Sequence, residues 1–187
     1  MNDQLPDDVR EDWKWAKRFD KSAMEAITSY LFTHIVTRSL SDMVSDTQEA
    51  TDAIIELPAE FGPRVKMGMR VRRVASAGRY RDVTIRSTRA SGAKTELQKL
   101  REGHCSLIFY AWIDQDDDLE EYVIVDVEVM RRAGLLDDSR PQTWNRDRRS
   151  AFVSYSIEEL QKCGALVDGA KFPGRSVCFR WVIRQDC

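Results

Sequence analysis

A chain of 187 residues, 42% hydrophobic and 32% charged, has enough apolar material for one domain with a real core and is too rich in it for wholesale disorder. The formal net charge is only −2, which on its own predicts no polyanion partner. That total conceals a segregation: residues 1–60 carry 6 Lys/Arg against 13 Asp/Glu, residues 64–101 carry 12 against 2, and residues 102–187 carry 11 against 16. An acidic start, a strongly basic middle and an acidic end give the molecule a one-sided field. Four dispersed cysteines and two histidines, His34 and His104, argue against a zinc centre or a disulfide framework. The polar, acidic opening "MNDQLPDDVRED" lacks a leader pattern, and no apolar run approaches the length of a membrane span. The expected setting is a reducing cytoplasm, away from membranes.

In chain order, residues 7–44 carry Met24, Ile27, Leu31 and Ile35 at helical spacing and predict helix, with a break near Asp20 to Ser22. "AIIELP" predicts a short strand stopped by Pro58. "RVKMGMRVRRV" alternates, placing Val65, Met67, Met69 and Val71 on one face and Lys66, Arg70 and Arg72 on the other. After the turn "ASAGRYR" comes a second alternating run, "DVTIRS", expected to pair antiparallel with the first. A helix is expected from about Ser91, with Leu97 and Leu100 as its apolar positions and Gly103 as its stop.

"SLIFYAWI" has no polar face and predicts a central strand buried on both sides. An acidic tip, "DQDDDLEE", leads to the strand "YVIVDVEV", a short helix "VMRRAGLL" and the charged loop "DDSRPQTWNRDRRS". The strand "AFVSYS" follows. Ser156 and Glu159 form a capping-box pattern for "IEELQKCG", and "SVCFRWVI" predicts a last strand. Tyr110, Trp112, Tyr122, Trp144, Tyr155 and Trp181 are expected to pack in the core or along strand edges. The fold class is therefore α/β: a mixed central sheet with flanking helices in a single domain over 1–187. Its core covers 7–113, and a C-terminal strand-helix-strand extension covers 114–187.

The functional signal lies in the basic middle. Arg70 and Arg72 on one strand and Arg86 on the next are expected on an open face. The segment "STRASGAK" supplies Arg89, a capping Ser91, a permissive Gly92 and Lys94 at a helix start, where unpaired amides and the helix dipole favour an anion. A phosphate-sized site is the expectation, and nucleic acid the expected partner. Simple solvation of the arginines, or pairing with acids of the same chain, is the competing reading. Asp52 at a strand entry, Glu96 at the start of the central helix and Glu25 on the first helix are the acids expected nearest this face. Two such carboxylates beside a phosphate are the donor set that divalent-metal chemistry uses.

The order helix, three strands, helix, strand resembles the restriction-endonuclease-like superfamily, the PD-(D/E)XK nucleases, over roughly Asp7 to Ile113. The resemblance implies Mg²⁺-dependent phosphodiester hydrolysis, with Asp52 in the place of the family aspartate and Asp52 and Glu96 holding the metal. Lys94 or Lys99 would then assist the nucleophile, while Arg70, Arg72 and Arg86 grip phosphate. Where the family carries acid-x-lysine, this chain has Gly68-Met69-Arg70. That departure makes a non-catalytic protein- or nucleic-acid-binding module of the same fold the alternative.

Overall fold

The structure, a computed structural model, describes residues 14, 18, 37–40, 53–56, 65–73, 81–116 and 119–171. The described strands are β1 (Thr37–Leu40), β2 (Ala53–Glu56), β3 (Val65–Arg73), β4 (Asp82–Arg89), β5 (Leu107–Ile113), β6 (Leu119–Asp126), β7 (Thr143–Trp144), β8 (Ser150–Ser156) and β9 (Leu166–Lys171). The described helices are α1 (Glu96–Arg101), α2 (Val127–Arg132) and α3 (Ile157–Lys162). Together they make an α/β fold with two sheets, one in the order β1-β2-β3-β5-β6-β9 and a smaller one in the order β4-β8-β7. Among the described residues, no helix is long and apolar enough to cross a membrane.

β5 holds the centre of the large sheet because it has no polar side to show to water. It runs parallel to β3 from Met67 opposite Leu107 to Arg73 opposite Ile113, and antiparallel to β6 on its other edge. Ile108 to Ile113 are all buried. One cluster of buried side chains joins both sheets and the helices: Ile108, Tyr110 and Trp112 meet Val83 and Ile85 of β4, Val153 and Tyr155 of β8, and Leu97 and Leu100 of α1. Each such side chain contributes on the order of 1.5–3 kcal/mol by leaving water.

The three described helices end the same way. In α1, Gly103 at φ 81° turns the chain while its N–H donates to the Leu100 carbonyl, and the His104 N–H donates to that of Lys99. Gly134 with Leu135, and Gly164 with Ala165, repeat the pattern after α2 and α3. Glycine takes this left-handed position because a Cβ there is strained.

Several expectations change. Thr37–Leu40, within the stretch expected as helix, is strand β1, so the meander is β1-β2-β3. β3 and β4 do not pair: β4 runs antiparallel to β8 in the other sheet, from Asp82 opposite Ser156 to Arg89 opposite Ser150. Both edges of β3 are taken by β2 and β5, while β4 and β8 share a period of two that puts Val83, Ile85, Val153 and Tyr155 together in the core. The extension after β5 thus supplies strands to both sheets, so the chain interleaves across residue 113. Of the strand-helix-strand expected there, the first two parts are β8 and α3, and an unexpected strand, β9 at Leu166–Lys171, follows them. "SVCFRWVI" lies outside the described residues, as does most of the expected first helix, including Glu25 and His34.

Candidate functional site

Register decides where the basic face of β3 points. Side chains directly opposite one another in a sheet share a face. Arg70 is opposite Tyr110, which is opposite Val123, and Arg72 is opposite Trp112, which is opposite Glu121. Tyr110, Trp112 and Val123 belong to the buried core cluster. Arg70 and Arg72 therefore rise toward the second layer of the molecule, not from an open basic surface.

Acids meet them there. Arg70 Nε donates to Glu96 Oε1 at 2.6 Å, with side chains 26% and 11% exposed, and Arg70 Nη1 donates to its neighbour's carbonyl, Met69 O, at 2.6 Å. Arg72 Nη1 reaches Asp82 Oδ1 at 3.1 Å. Arg81 Nε reaches Glu121 Oε2 at 3.3 Å. Between them Thr84 Oγ1 and the Tyr110 hydroxyl share a hydrogen bond of 2.7 Å, and burial pushes the Tyr110 phenol upward. Taking charge out of water is costly unless it is paired and hydrogen-bonded, and this strip alternates cation with anion. Lys99, one turn beyond Glu96, is only 8% exposed. Lys99, Arg86 and Arg89 all have partners of their own.

The helix start departs from the expectation. Thr95, not Ser91, is the N-cap of α1. Its hydroxyl accepts from the Gln98 N–H, and the Gln98 side chain accepts the Thr95 N–H at 2.7 Å. This reciprocal box satisfies two of the amides on which an anion site would depend. The capping pair Thr-x-x-Gln outcompetes Ser91, and residues 93–95 remain outside the helix. Ser91 Oγ accepts the Ala93 N–H at 3.5 Å, while Gly92, at φ 70°, turns the chain in an exposed bend. Lys94, exposed, pairs with Glu102 across the helix, and Glu102 also meets His104 Nε2 at 2.8 Å. The hydrogen bond from Lys94, then that from His104, holds the Glu102 carboxyl below its usual range.

Of the expected site, the fold brings together Arg70 and Glu96, with Lys99 on the same helix. It sends Arg72 to Asp82 and puts Arg86 and Arg89 on the other sheet. Asp52 lies outside the described residues. Among the described residues no three His, Cys, Asp or Glu side chains converge, and Glu96 Oε1 already receives Arg70. Of the two acids expected to hold a metal, the described residues include Glu96 alone.

A different place concentrates cations without consuming them. β7 and β8 form a hairpin whose tip is closed by the Asn145 N–H donating to Ser150 O at 2.9 Å and by Asn145 Nδ2 donating to Ser150 Oγ at 2.6 Å. Within the tip the Arg148 N–H donates to Asn145 O, and the Arg149 N–H to Asp147 Oδ1, each at 2.9 Å. Arg148 takes a left-handed φ of 57°, a conformation that costs an L-residue about 1–2 kcal/mol. Every residue from Pro141 to Arg149 is exposed. Among the described residues, none forms an ion pair with Arg146, Arg148 or Arg149. The turn after β4 is tied to this tip, with the Ala90 N–H donating to Arg149 O at 2.7 Å.

Trp144 begins the same tip and is 53% exposed. Its sequence neighbours, "QT" before and "NRDRRS" after, offer no apolar partner, a local composition that suits the strand edge, of the two placements expected, and not the core. Behind the hairpin, Arg140 fastens the incoming chain. It pairs with Glu159, donates to Ser154 O at 2.9 Å and lies 4.3 Å from the Tyr155 ring centre.

No known family model matches the chain, and no curated protein sequence is significantly similar to it.

Proposed function

We propose that the protein binds nucleic acid and that phosphates meet the β7–β8 hairpin tip instead of the inward face of β3. The observation that carries this reading is the division among the arginines. Arg70, Arg72, Arg81, Arg101, Arg131 and Arg140 close ion pairs within the chain, whereas Arg146, Arg148 and Arg149 stand exposed on one ordered turn. Arginine forks match phosphate oxygens in geometry and charge. The antiparallel β1-β2-β3 meander followed by a crossover to parallel β5 supports the restriction-endonuclease-like resemblance, which points to the same class of partner.

Fluorescence anisotropy with labelled oligonucleotides across a salt series tests this. Three phosphate contacts predict a log-log salt slope of about −2 on single strands. Replacing Arg146, Arg148 and Arg149 together by Ser should flatten that slope and remove most of the affinity, while Arg72→Gln should leave both unchanged. No affinity at low salt, or an equal loss in the two variants, rejects the reading.

A catalytic reading rests on Glu96 and Lys99, shielded from water on one turn of α1 beside Arg70. It requires Asp52 as the second acid and predicts Mg²⁺- or Mn²⁺-dependent cleavage. Cleavage that persists in Asp52→Ala and in Glu96→Gln rules out this assignment.

A further inference from the structure

Resting on the nucleic-acid reading, we propose that the hairpin selects single-stranded nucleic acid, with Trp144 as the platform on which an unpaired base stacks. Trp144 is the exposed large hydrophobic side chain among the described residues, while Trp112 is 2% exposed. Leaving an indole in water forfeits the burial that aromatic side chains ordinarily supply. It stands on β7, the edge of the small sheet, opposite Ala151, whose side chain is a single methyl group. One residue separates it from Arg146, and the Asn145–Ser150 bonds fix the turn that carries all three arginines.

This juxtaposition matches the two surfaces a single strand offers at once: a phosphate backbone for the guanidinium groups and a free base face for the indole. In a duplex the base faces are covered by their neighbours, so the arginines retain their role and the tryptophan loses its own. Stacking is indifferent to base identity, because every base has a π-face. The surface therefore distinguishes strandedness, not sequence.

Affinities of the full chain for a labelled DNA single strand, the matching RNA single strand and a DNA duplex, measured by anisotropy, give the test. The unmodified protein should bind either single strand more tightly than the duplex. Trp144→Ala should weaken single-strand binding about tenfold with the salt slope unchanged, and should leave duplex binding as it was. Trp144→Phe should recover most of the loss. Because the residue is exposed, circular dichroism melting should show both variants folded.

If Trp144→Ala leaves single-strand affinity intact while the triple arginine variant lowers it, the stacking proposal fails and nucleic-acid binding stands. An equal loss on duplex and single strands also overturns it. Absence of binding to all three oligonucleotides removes both readings and leaves a protein partner as the occupant of the exposed indole.

Discussion

β3 and the β7–β8 hairpin are built with the same residue type and use it in opposite ways. On β3, Arg70 and Arg72 share a face with Tyr110 and Trp112 and are drawn to Glu96 and Asp82. On the hairpin, Arg146, Arg148 and Arg149 extend from a turn whose acid, Asp147, accepts a backbone N–H at Oδ1. The basic middle of the chain, residues 64–101, holds 12 Lys/Arg against 2 Asp/Glu, yet the fold brings acids from elsewhere to it: Glu121 to Arg81 and Asp138 to Arg101. Charge counted along a segment does not give the field at a surface. What counts is which charges remain after the chain has paired with itself.

The largest expected effect concerns how dry the inner side of the hairpin's own strand is. Tyr155 lies on β8, fully buried, with its hydroxyl donating to Leu135 O at 2.9 Å. Burial, against the opposing influence of Arg140, pushes its phenol from 10 up to about 12. Below pH 10 both folded and unfolded chains keep this proton and the stabilisation is complete. Between about 10 and about 12 the unfolded chain releases it and the folded chain does not, so stability falls as pH rises, by about 2–3 kcal/mol in all. Urea unfolding of the wild type and Tyr155→Phe at neutral and alkaline pH should show this loss shrink in the variant. An identical alkaline loss in both would mean that this side of the sheet is wet.

Next in size is the interior pair. Glu96→Ala leaves Arg70 half-buried without its acid and should cost about 2 kcal/mol, read as a lower urea midpoint. Arg70→Met in the same background should recover part of it, because removing both charges is cheaper than stranding one. No destabilisation in Glu96→Ala would show that Arg70 relaxes into solvent, and the contrast between the two regions would weaken.

At the tip, Arg148→Gly separates stability from binding. Glycine tolerates the φ of 57°, so relief of strain, less the entropy of a freer unfolded chain, should raise stability by about 0.5–1 kcal/mol. Nucleic-acid affinity should fall in the same variant. Stability and affinity falling together would mean that the Arg148 side chain is a structural part of the turn.

Single elements were legible in the sequence wherever the signal was local. "LIFYAWI" lacks a polar face and became the strand with a partner on each side. Ser156 capped α3 as its spacing implies, although Glu159 completes only half the box in that its side chain goes to Arg140. Pairing was not legible. The alternation of β3 and of β4 says which residues share a face, but not which strand lies alongside. That choice was set by the match of β5 to β3 and of β8 to β4, over long sequence separations. Thr95-x-x-Gln98 was present as a capping pattern beside the more conspicuous Ser91-Gly92, and two reciprocal hydrogen bonds decided between them.

The smallest expected effect falls on Lys94, a residue expected as an anion donor near the helix start and, under the nuclease resemblance, as one of two lysines that could assist the nucleophile. Its ammonium pairs with Glu102, and both side chains are nearly half exposed, so salt and water screen the attraction. Lys94→Ala should leave the urea midpoint unchanged within error. Its trace should appear on the partner: with the leading downward influence removed, the Glu102 carboxyl should titrate closer to its ordinary value, the remaining His104 hydrogen bond still holding it slightly down. Carboxyl-detected NMR titration reads that shift directly. If affinity for a single strand also stays constant, Lys94 belongs with the internally consumed cations of β3. A loss as large as that of a hairpin arginine would instead extend the binding surface from the tip, past the Ala90–Arg149 hydrogen bond, to the approach to α1.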